Sequence, residues 1–203
     1  MMKTITLTLM LVCAAGTALG QSIEARIREF ATREYPNDAR MQRYVYNNQI
    51  RAYRYMQSVR DADVKGIAVR EYPNNYSLQK YTYDNQLAAK RYMRSVTDRE
   101  VKAIALHEYP NDYSLQKYTY DNQLAAKRYM STVRDREVKR IALHEYPNDY
   151  SLQKYTYDNQ LSAKEYMNAQ ASSPAKSTAQ RDYPYDYSMQ KYTFDRLLTR
   201  SRF

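Results

Sequence analysis

The sequence predicts an all-α protein: tandem helical-hairpin repeats, five 37-residue units forming a short α-solenoid. Three observations carry that prediction. First, Tyr-Pro recurs at Tyr35, Tyr72, Tyr109, Tyr146 and Tyr183, always 37 residues apart, the self-similarity expected of stacked repeats. Second, the stretch from His107 to Asp121 returns unchanged from His144 to Asp158, and all 24 tyrosines fall inside the copies. Third, apolar residues recur at helical spacing, while alternation of period two is not sustained outside the short Tyr-Thr-Tyr string.

Each unit divides at its proline. A short helix, B, is predicted from about Asp98 to Glu108, with Thr97 and Glu100 at the spacing of a capping box. Val101, Ile104 and Ala105 form its apolar stripe. Pro110 ends it, because proline disfavours helical geometry in the residue before it. Asn111 or Asp112 then caps a longer helix, A, running to about Met130. Four residues joining two helices suit an antiparallel hairpin.

Helix A reads as apolar on two sides. At 100° per residue, Tyr113, Tyr120 and Leu124 fall on one face. Leu115, Tyr118, Ala125 and Tyr129 fall roughly opposite, with Asp121 and Arg128 between them and facing water. Two buried faces are what a stack requires, since each unit covers one neighbour and is covered by the next. The tyrosines are therefore expected mostly in the core and between units, with hydroxyls at the rim.

Ahead of the array, Lys3, the apolar run Ile5 to Ala15 and the small residues Ala18 and Gly20 match the three parts of a secretory signal. The chain thus divides into a signal peptide over residues 1–20, an array over 21–167, and a linker with a degenerate fifth unit over 168–203. Cleavage is expected before Gln21, placing the protein in the periplasm or outside the cell. Cys13 is the only cysteine. The bulky Val12 before it argues against lipid attachment, and its place in the signal leaves the mature chain without disulfides. No later segment is apolar enough to span a membrane. The last helix B is eroded: Val138 and Ile141 of the preceding copy become Ala175 and Thr178. Ser173 still caps and Pro174 suits the first helical position, so this unit is expected to be the least firmly docked.

The formal charge of +10, with both signs interspersed, points to an acidic partner such as an acidic glycan or another envelope component. The excess per unit is too small for a nucleic-acid footprint, so nucleic acid is disfavoured. With the small excess read as nearly the same in each copy, a partner is expected to span several units, with affinity that falls with salt.

No cofactor is implied and no catalytic residue stands out: the chain has no nucleotide-binding glycine loop, Ser-His-Asp arrangement or metal-spaced cluster. His107 and His144 occupy a position held elsewhere by Arg33, Arg70 and Arg181, which marks a solvated basic position. More regular are Gln42, Gln79, Gln116, Gln153 and Gln190, each followed by a basic residue and then tyrosine. An acidic residue precedes every Tyr-Pro, at Glu34, Glu71, Glu108, Glu145 and Asp182. One reading is a clamp, the glutamine satisfying carbonyls left open at the end of helix B. The other is a binding row of Gln79, Lys80 and Tyr83 with Gln116, Lys117 and Tyr120 and with Gln153, Lys154 and Tyr157.

The string Glu-Tyr-Pro-Asn-Asp-Tyr-Ser-Leu-Gln-Lys-Tyr resembles a repeat motif of small exported bacterial proteins that reads approximately Trp/Tyr-Pro-Asp-Asp-Tyr, then Met-Gln, then Tyr. Met41-Gln42 and Met189-Gln190 match its Met-Gln pair, and Leu-Gln replaces it in the other copies. Some of those proteins carry cysteines near the motif, which this chain lacks. The resemblance implies a bacterial source and no activity. In architecture alone, the hairpins are similar to tetratricopeptide-type solenoids. The functional expectation is an exported, non-enzymatic structural or interaction scaffold. The alternative is a carbohydrate- or polyanion-binding module using repeated Tyr and Lys or Arg.

Overall fold

The computed structural model describes residues 22–200. The predicted signal, its cleavage site, Cys13 and the last three residues lie outside the described residues. Within them are ten α-helices, and no strand. The short helices B are α1 (Ile23–Glu34), α3 (Ala62–Glu71), α5 (Arg99–Glu108), α7 (Arg136–Glu145) and α9 (Pro174–Asp182). The long helices A are α2 (Ala39–Ser58), α4 (Tyr76–Ser95), α6 (Tyr113–Thr132), α8 (Tyr150–Ala169) and α10 (Tyr187–Arg200). Each B helix packs on its own A helix, and the A helices pack one on the next in chain order. The fold is the predicted solenoid of hairpins.

Local chemistry sets the helix boundaries. Asp98 caps α5, its side chain accepting from the Val101 N–H. The predicted capping box on Thr97 is therefore corrected: the cap lies one residue later, and Glu100 instead pairs with Lys127 at 2.8 Å. Asp112 caps α6 through the Leu115 N–H. Tyr109 closes α5 outside helical geometry, at φ −129° and ψ 68°, as its following proline requires. Its carbonyl then accepts from Gln116 Nε2 at 2.6 Å. The same bond joins Gln42 to Tyr35, Gln79 to Tyr72, Gln153 to Tyr146 and Gln190 to Tyr183. This glutamine is the clamp of each hairpin.

The core lies at the junctions between units. Met93 at the end of α4, Val101 and Ala105 from α5, and Tyr120 from α6 form one buried cluster, with Tyr92, Val96, Leu124 and Tyr150 packed around it. It recurs 37 residues earlier around Met56 and 37 later around Met130. Each cluster draws on at least two successive units, so a lone hairpin could not bury its apolar side chains.

The predicted two-faced helix A needs correction. Tyr120 is buried and Leu124 half-buried, but Leu115, Tyr118 and Ala125 are exposed. The stripe buried on α6 is Gln116, Thr119, Tyr120, Gln123, Ala126 and Met130. Half of it is polar, so a hydrophobic pattern cannot reveal it. Of the five tyrosines in this unit only Tyr120 is fully buried. Tyr113 and Tyr129 are half-buried wedges, and Tyr109 and Tyr118 are exposed. Asp121 does not simply face water; it accepts from Lys117 and from Tyr92 of the preceding unit.

A second glutamine couples the units. Gln123 Nε2 donates to the carboxylate of Asp149, the cap of the next A helix, at 2.8 Å. Its Oε1 accepts the Ser151 N–H at 3.2 Å. Gln86 and Gln160 repeat this contact with the helices that follow them, and Gln49 does so with the amide oxygen of Asn75, the cap of α4. One amide thus satisfies both a capping carboxylate and an orphan N–H of the neighbouring helix.

The last unit is the thinnest. Its cluster contains only Met167, Ala179 and Phe194 as buried members, and α9 contributes Ala179 alone among its buried residues. Ser173 caps α9 and Pro174 opens it, as predicted.

Two outcomes follow from this packing. Gln123→Ala should lower unfolding free energy by about 1–3 kcal/mol, because it strands a buried acceptor and donor; denaturant titration checks it. In hydrogen exchange, amides of α9 and α10 should exchange faster than those of α5 and α6, because a weaker terminal interface opens first.

Candidate functional site

The predicted binding row does not form an open groove. Gln79, Gln116 and Gln153 are 1–2 % exposed, and Tyr83, Tyr120 and Tyr157 are 3–4 % exposed. The glutamines are spent on the hairpin clamp. The tyrosine hydroxyls accept backbone N–H groups, Asp98 N to Tyr120 at 3.4 Å and Asp135 N to Tyr157 at 3.3 Å. Only the lysines reach the surface, and each is paired: Lys80 with Asp84, Lys117 with Asp121 and Lys154 with Asp158, at 2.6–2.7 Å.

Those lysines belong to a seam between units. Lys117 lies over the Tyr92 ring, 4.7 Å from its centroid, and both groups meet at Asp121. Lys154 over Tyr129 at Asp158, and Lys191 over Tyr166 at Asp195, repeat it. The hydrogen bond to Asp121, with burial adding to it, pushes the Tyr92 phenol up to about 12. Tyr55 and Tyr129 are raised alike by Asp84 and Asp158. Burial alone would raise the Asp121 carboxyl, but hydrogen bonds from Lys117 and Tyr92 outweigh it and hold it below the ordinary value. A second lysine, Lys127, closes the hairpin on Asp98 and Glu100. Glu100 and Asp98 together raise its ammonium above the usual range.

What remains open is the outer surface of the A helices. Tyr44, Tyr81, Tyr118, Tyr155 and Tyr192 occupy one repeat position in all five units and are 58–66 % exposed. Leu78, Leu115 and Leu152 lie three residues before them and are also exposed. Asn85, Asn122 and Asn159 lie one helical turn after, exposed on the same side. Because the A helices pack in succession, the tyrosines form a row across the array, one per helix. Helix axes packed at about 8–10 Å set its spacing. Sequence reading missed this row by choosing the wrong tyrosine of Tyr-Thr-Tyr. Two residues on a helix differ by about 200°, so one ring must point in and the other out. The buried Gln-Thr stripe, which selects between them, is not apolar.

His107 and His144 are exposed, at the solvated position predicted for them. The acidic residue before Tyr-Pro has a weaker role: Glu108 accepts from Thr119 at 3.4 Å. Among the described residues no three His, Cys, Asp or Glu side chains gather as they would around a metal. None of the described helices is long and apolar enough to cross a membrane.

The seams make alkaline stability a test of the site's electrostatics. An unconstrained tyrosine ionises at about 10, whereas Tyr55, Tyr92 and Tyr129 hold their protons to about 12. The fold therefore favours the neutral phenol. That contribution is complete below pH about 10 and is lost as pH rises toward 12. Circular dichroism should show helix loss in that window, with part of the tyrosinate absorbance appearing only there. Ionisation of every tyrosine near 10, with helix content unchanged beyond 12, would contradict the assignment.

No protein family, curated protein or solved structure matches the chain in comparisons, so the motif resemblance rests on the Tyr-Pro turn and the start of helix A alone.

Proposed function

We propose that this protein is an exported, non-enzymatic scaffold that holds an extended, repetitive partner along its outer tyrosine row. One observation carries the reading: the same tyrosine is exposed in all five units at a place where neither core nor seam uses it. Large exposed aromatic rings in a regular row are costly to leave bare and mark interaction surfaces. Each ring offers a flat apolar face with a polar tip, and an amide one turn away supplies both a donor and an acceptor. That combination suits the face of a sugar ring and its hydroxyls, so a glycan chain is the partner of choice. The three-part signal in the sequence supports export to the envelope or beyond it, and the sequence contains no constellation of nucleophile, base and orienting group.

Charge pairing separates this reading from a polyanion surface along the middle of the array. Lys80, Lys117, Lys154 and Lys191 are all neutralised by aspartates of their own helices. Affinity there comes from several weak aromatic contacts on a shared frame.

The triple variant Tyr81→Ala, Tyr118→Ala, Tyr155→Ala should keep its fold, since exposed substitutions usually change stability by no more than about 0.5 kcal/mol. It should lose retention on insoluble neutral polysaccharides such as cellulose or chitin by roughly tenfold or more. Retention of the parent should change little between low and high salt. Equal retention of variant and parent, or none of the parent, would overturn the proposal.

A further inference from the structure

The first unit departs from the others in a way that builds a separate site. Along α2 (Ala39–Ser58), Arg40, Arg43, Asn47, Arg51 and Arg54 are spaced three, four, four and three residues apart. At 100° per residue they fall within an arc of about 80°, and at 1.5 Å per residue the stripe is about 21 Å long. All four arginines are exposed. Among the described residues none of them makes an ion pair; Arg51 donates to Asn48 and the rest are free for a ligand. Elsewhere three of the four arginine positions are defused, while the position of Arg54 keeps Arg91 and Arg128 and becomes Glu165 in the fourth copy. Ser114 stands for Arg40 and Ala125 for Arg51, while Lys117 in place of Arg43 is paired with Asp121 in place of Asn47. In the first unit the carboxylate that would neutralise the stripe is an amide.

Position in the stack explains why this edge is uncovered among the described residues. In later units this edge of helix A carries the seam with the preceding A helix, where Tyr92 reaches Asp121. In the first unit no A helix among the described residues covers it. A polar cap alone would serve to keep the end soluble. Four arginines without acidic partners, flanked by Tyr44, which is 60 % exposed, and Tyr46, go further than that. The acids nearby are Glu24 of α1, which lines the same hollow as Arg51 and Arg54, and Asp38, whose side chain is held by the Met41 N–H. Two carboxylates leave the stripe net positive.

We infer that this stripe binds an acidic polysaccharide, one bearing carboxylates along its chain. The guanidinium fork matches a carboxylate in two parallel hydrogen bonds, and a linear stripe engages successive acidic groups of a linear polymer. Tyr44 offers a ring face for sugars to stack on, while the Tyr46 ring has the Arg28 guanidinium over it, 5.8 Å from its centroid. A bilayer is the poorer fit, because a helix lying on a membrane needs a free apolar face, and α2 turns Gln49, Ala52 and Met56 into the array. The site goes beyond the tyrosine row, which it meets only at Tyr44.

The test uses the full chain with polygalacturonate as probe. Its fully methyl-esterified form is the uncharged control, and phosphatidylglycerol vesicles and single-stranded DNA are the competing polyanions. Binding to polygalacturonate should fall steeply with salt and exceed binding to the ester by roughly tenfold or more; what binding the ester keeps should be independent of salt and lost with the tyrosine-row variant. The variant Arg40→Gln, Arg43→Gln, Arg51→Gln, Arg54→Gln should keep its circular dichroism and thermal midpoint. It should bind polygalacturonate about tenfold more weakly or worse. The control variant Arg91→Gln, Arg128→Gln, at the repeat position of Arg54 in later units, should bind nearly as the parent does. Equal binding by the quadruple variant, equal binding of the ester, or tighter binding of vesicles or DNA would overturn the inference. The tyrosine-row variant, measured beside it, separates the two readings. Loss with the tyrosine variant alone would leave the row standing and sink the stripe; loss with the arginine variant alone would do the reverse for this probe.

Discussion

The hairpin depends on one hydrogen bond to a carbonyl that proline leaves open. Proline supplies no N–H and pushes the tyrosine before it out of helical geometry, so the Tyr109 carbonyl points into the angle between two helices. Gln116 reaches it at 2.6 Å. Left unmade, that bond would leave the carbonyl only the longer contact from the Asp112 N–H at 3.4 Å and strand the buried Gln116 amide donor, at about 1–3 kcal/mol, once in every unit. The clamp has a cost of its own: Oε1 of Gln116 and of Gln153 is buried without a partner. A methionine would fill the same space but could not donate, and the amide is kept in all five copies. Fixing the angle between helices B and A matters more here than satisfying every polar atom.

With the hairpin angle set, the units can couple through groups that a single unit cannot satisfy. Gln123 spends both ends of its amide on the cap of the next helix, and Tyr129 spends its hydroxyl on Asp158 there. The tyrosine rings at these seams meet edge to face, centroids 6.2 Å apart at 77°. These contacts have a direction, since each unit sends its Gln and Tyr side chains forward, to the capping residue, the open N–H and the seam aspartate of the next. The substitutions at the two ends follow that direction. Asn47 replaces the accepting aspartate in the first copy, and Leu197 replaces the coupling glutamine in the last. In the first unit Tyr53 stands where Lys90, Lys127 and Lys164 stand later, and its ring packs edge to face on Tyr76, whereas Lys90 lies over the Tyr113 ring in the next unit.

Tyrosine thus does three jobs in one repeat. Buried rings fill the junction cores, half-buried rings bind the seams, and the outermost ring faces solvent. Functional interest concentrates where the structural jobs end: the exposed ring of each unit, and the first helix A, where seam positions carry unpaired arginine instead of a paired lysine. The evenly repeated excess expected from the sequence is thus corrected: net charge is small along the third and fourth units and largest on the first helix A, which differs from a uniformly basic surface. That difference arises from pairing, because the excess of lysine along the middle of the array is cancelled by aspartates four residues away.

By itself the sequence determined the fold class, the period, the hairpin turn at Tyr-Pro, the clamp as one reading of the invariant glutamine, and the erosion of the last helix B. These are local or repeated features, and local backbone chemistry with a 37-residue period is enough to decide them. The coupling glutamine was legible too, in hindsight, since Gln49, Gln86, Gln123 and Gln160 give way to leucine only in the last copy. Which side of helix A is buried was decided only by the tertiary structure. Hydrophobic periodicity marks a core when the buried residues are apolar, but here Gln116, Thr119 and Gln123 are inside while Leu115, Tyr118 and Ala125 are outside. The buried face is chosen by where the neighbouring helix offers a carbonyl, a capping carboxylate and an open N–H, and those partners lie in other helices or other units. A polar core of this kind can be recognised only when its partners are in place.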